Sequence, residues 1–170
     1  MAEQDIREIV VAGGCFWGVE EYYKRLKGII STEVGYAQGM TEEPTYEAVC
    51  TMETDHAEVV KIQYDAALIS LEKILEHLFR IIDPISLNQQ GGDVGTQYRT
   101  GIYYIDRFEA ATIKKFIANE QQAYGAPIAV EVEPLKHFWH AEEMHQDYLQ
   151  KNPTGYCHVN FALIKPSELK

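Results

Sequence analysis

The chain has 170 residues, of which 46% are hydrophobic and 11% aromatic. This length and composition support a single domain over residues 1–170 and exclude an intrinsically disordered chain. The formal net charge of −11, from 26 Asp and Glu against 15 Lys and Arg, argues against nucleic acid or an anionic membrane surface as a partner. A small neutral molecule or a protein is the expected substrate.

The cellular compartment is predicted from the N-terminus and the cysteines. Residues 1–5 are acidic where a signal peptide is basic, and no apolar run approaches the roughly 18 residues of a membrane span. Cys15, Cys50 and Cys157 are widely spaced, without a CxxC or zinc-binding pattern. We therefore expect free thiols in a reducing, cytoplasmic compartment.

Hydrophobic periodicity predicts the elements in chain order. They are a strand at 6–12, a helix at 16–26, strands at 29–36 and 56–64, a helix at 70–82, a strand at 100–105, a helix at 106–124, a strand at 128–135, a helix at 141–150 and a short alternating run at 157–163. This order predicts an α+β fold, with a mostly antiparallel sheet, a split βαβ, ferredoxin-like core and helices packed on it. The loop at 85–99 is long for a compact domain, which indicates a functional role.

The segment GGCFWG at residues 13–18 places a thiol where a predicted strand turns into a predicted helix. The first N–H groups of a helix stabilise negative charge, so we expect Cys15 to be a nucleophilic thiolate with a lowered pKa. The alternative is a cysteine buried as a small hydrophobic residue. Phe16 and Trp17 are either core anchors or, beside a nucleophile, an aromatic wall for an apolar group such as a thioether-like methyl.

A carboxylate shares an apolar strand face in the run from 56 to 64. Alternation puts Glu58 on the same face as Val60, Ile62 and Tyr64. Because burial disfavours the charged form, Glu58 is expected to have a raised pKa and to donate a proton near neutral pH. The alternative is a glutamate at a strand end that reaches water.

Other candidate residues carry weaker signals. Tyr46 and Tyr98 lie in segments of poor periodicity and cannot be distinguished by pattern from the other tyrosines, and Asp93 after two glycines is typical of a turn. The histidines at 137, 140 and 145 do not form HExxH, and His140 and His145 lie about 140° apart on a helix. No catalytic metal is expected from this spacing.

Five separated motifs, GCFWG, PTYEAV, HAEVV, GGDVGTQYR and NPTGYC, resemble in order the A-type peptide methionine sulfoxide reductases over nearly the whole chain. The resemblance implies a two-layer α/β sandwich that reduces the S epimer of free or peptide-bound methionine sulfoxide without metal or organic cofactor. It makes Cys15 the nucleophile and Phe16 and Trp17 the wall of the methyl pocket. It also implies that Glu58, Tyr46 and Tyr98 address the sulfoxide oxygen, with Asp93 near the site.

This chemistry fits the residues, because a sulfoxide sulfur becomes electrophilic when its oxygen is protonated or hydrogen-bonded. Attack by Cys15 would give methionine and a sulfenic acid on the cysteine. In many relatives a cysteine near the end of the chain then forms a disulfide with the nucleophile, and thioredoxin reduces this disulfide. Cys157 stands at the matching position here. The alternating run after Cys157 predicts a paired strand, which would fix Cys157 out of reach of Cys15. This favours a one-cysteine cycle with glutathione, glutaredoxin or thioredoxin as the reductant. Cys50 is interpreted as structural.

Two other classes of function remain open on the residues alone. A thiol peroxidase or redox sensor would form the same sulfenic acid from peroxide, without needing a methyl pocket. A non-catalytic module would use Cys15, Phe16 and Trp17 only to bind a hydrophobic peptide.

Overall fold

The computed structural model describes residues 5–170, so most of the acidic N-terminal segment lies outside the described residues. Eight strands are present: β1 (Ile6–Gly13), β2 (Ile29–Ala37), β3 (Ala57–Asp65), β4 (Gln89–Gln90), β5 (Asp93–Val94), β6 (Thr100–Tyr104), β7 (Glu131–Pro134) and β8 (Phe138–His140). The α-helices are α1 (Phe16–Lys24), α2 (Tyr46–Cys50), α3 (Leu71–Ile81), α4 (Glu109–Gln121) and α5 (Tyr148–Lys151). The chain is therefore a mixed α+β protein. None of these helices is long and apolar enough to cross a bilayer.

Six strands form one sheet in the order β7-β6-β1-β3-β2-β8, and β4 and β5 form a separate hairpin. All ladders of the large sheet are antiparallel except the one between β6 and β7. Four strand termini lie together at one end of the sheet, because Gly13 is paired with Thr100 and Ala37 with Ala57. They are the end of β1, the end of β2, the start of β3 and the start of β6. We call this end of the sheet the Cys15 end.

The main core lies between the sheet and the helices. Alternate residues of the central strands, including Ile9, Val11, Val60 and Ile62, pack there against α1 and α3. The opposite sheet face holds a smaller cluster of valine and alanine side chains with Tyr103, and Leu135 and Phe138 pack against it. The period-2 pattern predicted for the strands is thus confirmed, with Glu58 and Val60 on the helix-covered face.

Predicted elements in the first two-thirds of the chain match the structure within a few residues, with two exceptions. The short helix α2 around Tyr46 was not predicted, because five residues give no readable helical period; the Thr45 side chain caps it by accepting from the Ala48 N–H at 3.1 Å. The loop at 85–99 contains the β4–β5 hairpin and a 3₁₀ turn at Thr96–Tyr98.

Two predictions in the last third were wrong. The helix expected at 141–150 is split into a 3₁₀ turn and the short α5, because Asp147 adopts a left-handed conformation (φ 55°) between them. The strand expected at 157–163 is absent: residues 156–160 are irregular and a 3₁₀ turn follows at Phe161–Leu163. Side-chain hydrogen bonds hold this terminal segment where a sheet ladder was expected.

The β2–β8 pairing generates a stability prediction. A Cβ on Gly35 would lie 2.5 Å from the Trp139 carbonyl oxygen and from the Phe138 ring, so Gly35→Ala should destabilise the protein by about 1–3 kcal/mol through overpacking. Gly125→Ala is the matched control, because no described atom lies within 4 Å of its added Cβ. Urea unfolding of both variants checks this. Equal stability of the two variants would contradict the assigned β2–β8 packing.

Candidate active site

Cys15 is the N-cap residue of α1, two residues after β1 ends. Gly14 makes the turn with φ 89°, a conformation that favours glycine. The Cys15 side chain is buried, with 6% of the residue exposed. The strand-turn-helix arrangement predicted for this thiol is therefore confirmed.

Glu58 lies at the start of β3 and is 1% exposed. Its Oε1 accepts a hydrogen bond from the Phe16 N–H at 3.1 Å, so the carboxyl group faces the first turn of α1. Its Oε2 is buried without a hydrogen-bond partner among the described residues. Burial raises the pKa of Glu58 from 4.5 to about 8, although the Phe16 N–H partly opposes this. Glu58 is therefore a neutral acid at pH 7, as its strand position predicted.

The surroundings of Cys15 disfavour the expected thiolate. Burial raises the pKa of Cys15, Glu58 raises it further once its own carboxyl group is ionised, and the hydrogen bond from the Trp17 backbone offsets only part of the effect. The prediction of a lowered pKa was wrong because it counted the helix N-terminus and not the loss of water around the sulfur. In this state the site holds a neutral thiol.

Two phenols belong to the same site. Tyr46 is the first residue of α2 and Tyr98 ends the 3₁₀ turn at Thr96–Tyr98; both are half-buried. For each, burial first and the charge of Glu58 second raise the pKa well above 10. Both side chains therefore keep their O–H hydrogens and can donate hydrogen bonds at physiological pH.

Aromatic rings surround the first turn of α1. Phe16 is buried and stacks on Tyr46 with ring centroids 6.5 Å apart. Trp17 stacks on Tyr148 at 3.7 Å and donates from Nε1 to the His145 Nδ1 at 3.0 Å. Phe16 and Trp17 are thus held next to the Cys15 turn by aromatic contacts and by the hydrogen bond to His145.

Three supporting residues were missed from the sequence: His145, Glu142 and Tyr148, which stacks on Trp17. His145 was weighed only as a metal ligand, whereas it contacts Phe16, Trp17 and Tyr46. Glu142 accepts from the Tyr36 O–H at 2.8 Å and from the Tyr46 N–H at 2.9 Å. The available signal was the dense alternation of aromatic, acidic and histidine residues at 137–148, which is unusual for a plain surface helix.

Asp93 begins β5 and reaches the site from the long loop. Its Oδ2 accepts from the Tyr156 O–H at 2.9 Å. Its charge contributes to the raised pKa values of Glu58, Cys15 and Tyr98. The Asp93–Tyr156 bond ties this loop to the C-terminal segment beside Cys15.

The C-terminal segment lies against the catalytic turn. The Cys157 Sγ sits beside Gly18, 2.8 Å from where a Cβ on that glycine would lie. The His158 Nε2 donates to the Gly13 carbonyl at 2.8 Å. Cys157 thus lies beside a residue that is one helical turn after Cys15. Partly buried Cys50 ends α2, next to Tyr46. All three cysteines are free thiols.

The site can support attack by a thiol on an electrophile whose polar atom accepts hydrogen bonds. A neutral carboxyl group and two phenols supply donors, and the aromatic rings provide an apolar wall. Within residues 5–170, no group of three or more His, Cys, Asp or Glu is placed to hold a metal ion.

Known proteins share this sequence and fold. A family model described as peptide methionine sulfoxide reductase matches residues 7–169. Peptide methionine sulfoxide reductase MsrA of Clostridium botulinum (strain Okra / Type B1) is 57% identical over 155 residues, covering 91% of this chain and 99% of that protein. The crystal structure of Mxr1 from Saccharomyces cerevisiae in reduced form aligns with a TM-score of 0.86 at 38% identity, over 93% of this chain and 94% of that one.

A second Mxr1 structure bears on the redox partner. Mxr1 from Saccharomyces cerevisiae in complex with Trx2 aligns with a TM-score of 0.61 at 29% identity, covering 87% of this chain and 90% of that one. The family model and the relatives agree over most of the sequence. The chain therefore belongs to the peptide methionine sulfoxide reductase family, as a member of the MsrA type, and is an oxidoreductase.

Proposed function

We propose that the protein reduces methionine-S-sulfoxide, free or in oxidised proteins, by attack of the Cys15 sulfur on the sulfoxide sulfur. The observation that carries this proposal is the buried, neutral carboxyl group of Glu58, with a free Oε2, beside a cysteine at a helix N-terminus. Such an acid is suited to a substrate oxygen that must gain a proton. Preference for the S epimer follows from membership of the family.

In the first step, Glu58 gives its proton to the sulfoxide oxygen as the Cys15 sulfur bonds to the substrate sulfur. The Glu58 carboxylate then takes the proton of the Cys15 thiol, so the site gains no net charge. Tyr46 and Tyr98 donate hydrogen bonds to the oxygen as the S–O bond weakens. The hydroxyl group passes to the cysteine sulfur, which gives methionine and a Cys15 sulfenic acid: the substrate sulfur is reduced and the cysteine sulfur oxidised.

The raised pKa of the resting thiol is compatible with this step. Protonation or hydrogen bonding of the oxygen makes the substrate sulfur electrophilic, and removal of the thiol proton is coupled to the attack. Phe16 and Trp17 receive the methyl group next to the reacting sulfur and exclude water. No metal or organic cofactor enters the reaction.

In the second step, we propose that Cys157 attacks the Cys15 sulfenic acid, releases water and forms a disulfide. The support is its position beside Gly18, one helical turn from Cys15, in a segment without strand pairing. The objection raised by the predicted strand is removed, since that strand is absent. A thioredoxin is the proposed reductant, supported by the complex of the related Mxr1 with Trx2; glutaredoxin and glutathione are the alternatives. We place the reaction in the cytoplasm, which fits three free thiols.

Glu58→Gln tests the acid. The variant keeps the shape of the side chain and cannot supply the proton, so kcat/KM for methionine-S-sulfoxide should fall by about 10²-fold or more. The wild-type rate should decline above pH 8, where Glu58 loses its proton, and the variant should lack that decline. Steady-state kinetics from pH 6 to pH 10 measure both effects.

Glu20→Gln is the matched control, since Glu20 is another buried glutamate, on α1, with a raised pKa. It accepts from Thr32 and the Asp147 N–H, away from the reacting groups, so its pH profile should match the wild type. Wild-type turnover by Glu58→Gln, or an unchanged decline above pH 8, would refute the acid role.

Gly18→Ala tests the resolving step. In a helix interior this change usually adds stability, but here the methyl group would meet the Cys157 Sγ at 2.8 Å and Val159 at 3.0 Å. We expect methionine formation in a single turnover to persist while disulfide formation slows by about tenfold or more, because small misplacements of reacting atoms are costly. Rapid quenching and mass spectrometry of the linked Cys15 and Cys157 peptides measure it.

Cys157→Ser is the control for that experiment and should form methionine without any bridge. If the wild-type enzyme accumulates the Cys15 sulfenic acid and forms no bridge to Cys157, the reaction follows a one-cysteine cycle and the proposed second step is wrong. A Gly18→Ala variant that forms the bridge at the wild-type rate would contradict the assigned position of Cys157.

A further inference from the structure

The loops around the active site carry an uneven distribution of charge. Residues 38–56, 81–98 and 137–150 contain ten of the 26 Asp and Glu and none of the 15 Lys and Arg. The first two segments connect strands at the Cys15 end of the sheet, and the third follows from β7 to α5. We define the acidic rim as eight of these carboxylates, without Asp83 and without Asp147, which pairs with Lys24: Glu42, Glu43, Glu47, Glu53, Asp55, Asp93, Glu142 and Glu143.

The charge of the acidic rim is largely uncompensated. All its members are exposed except the half-buried Asp93. Among residues 5–170, Asp55 is the rim carboxylate with an arginine or lysine nitrogen within 4.0 Å, namely Arg99 at 3.9 Å. Glu143 has a histidine neighbour, His140, at 3.7 Å. A peptide that approaches the site therefore meets a negative surface.

The charge of Asp93 reaches the reacting groups, and the charges of Glu47 and Glu142 reach Cys50 on α2. Asp93 contributes to the raised pKa values of Cys15 and Glu58, and Glu47 and Glu142 contribute to that of Cys50. Glu142 is fixed in place by the Tyr36 O–H and the Tyr46 N–H. The rim is thus part of the surroundings of the bound substrate.

A separate observation points to a position for a ligand inside the rim. The Glu58 Oε2 is buried, unpartnered among the described residues, and belongs to a carboxyl group that faces the first turn of α1. This group matches a neutral polar atom such as a sulfoxide oxygen. The neutral Glu58 carboxyl group can therefore recognise the sulfoxide, while the acidic rim around it recognises the peptide residues on either side of the methionine sulfoxide.

We propose that the acidic rim makes the enzyme prefer methionine sulfoxide residues flanked by Lys or Arg over those flanked by Asp or Glu. This inference rests on the proposed function and names the class of peptide that the site takes. Each exposed charge pair changes affinity by about one- to fivefold, so several together should give about a tenfold range. The preference should weaken with salt, because the screening length falls from about 30 Å at 0.01 M to about 8 Å at 0.15 M.

The test uses three blocked pentapeptides with a central methionine-S-sulfoxide, flanked on both sides by Lys, Gln or Glu. Uncharged dithiothreitol serves as the reductant, so the charge of the peptide is the only variable. We expect kcat/KM to follow the order Lys, Gln, Glu at low ionic strength, with at least about a tenfold ratio between the extremes. That ratio should shrink as salt is added.

Charge-neutralising variants locate the effect. Glu47→Gln with Glu143→Gln should lower the Lys-to-Glu ratio. The matched control is Glu8→Gln with Glu72→Gln, which removes two exposed carboxylates at the opposite end of the sheet and should leave the ratio unchanged.

The outcomes separate this inference from the proposed function. Equal kcat/KM for all three peptides at low salt, or an equal effect of the control variants, would overturn the acidic-rim preference and leave the reductase activity standing. Failure to reduce the Gln peptide at all would overturn the proposed function, and this inference with it.

Discussion

The central constraint in this structure is a carboxyl group buried at the N-terminus of α1, an arrangement that costs folding free energy when the group is ionised. Glu58 occupies a position on β3 whose neighbours on the same face are core residues, and one N–H group is its hydrogen-bond partner. Desolvation therefore decides its protonation, and the acid is neutral where most glutamates are charged. The same lack of water keeps Cys15 protonated. The two groups are thus linked, because a negative charge on either one disfavours a charge on the other.

This arrangement has a cost in stability that depends on pH. Because the pKa of Glu58 is raised on folding, its protonated form favours the folded state. That contribution is complete below the ordinary pKa of 4.5 and is lost as the pH rises through about 8. The large apolar core between the sheet and α1 and α3 offsets the cost. Stability is given up at the point where the proposed reaction needs a proton donor.

The sequence was sufficient for features with a local physical cause. Alternation on β3 predicted the burial and raised pKa of Glu58, and the glycines before Cys15 predicted its place at a helix N-terminus. The prediction of a lowered pKa for Cys15 was wrong because the burial of this residue depends on the whole packed site, including residues 156–158, more than 140 positions away in the sequence. His145, Glu142 and Tyr148 were missed for the same reason, since their roles arise from contacts with Trp17, Tyr36 and Tyr46 across the fold. Tyr46 and Tyr98 were identified through resemblance to a family and not through any pattern of their own.

The central claim is that Glu58 holds a proton at neutral pH, and a ¹³C NMR titration of the glutamate side-chain carboxyl carbons tests it most directly. Comparison of the wild-type spectrum with that of Glu58→Gln assigns the signal. A midpoint near pH 8 is the predicted result. A midpoint near 4.5 would show an ionised carboxylate beside Cys15, and would contradict its assignment as the proton donor.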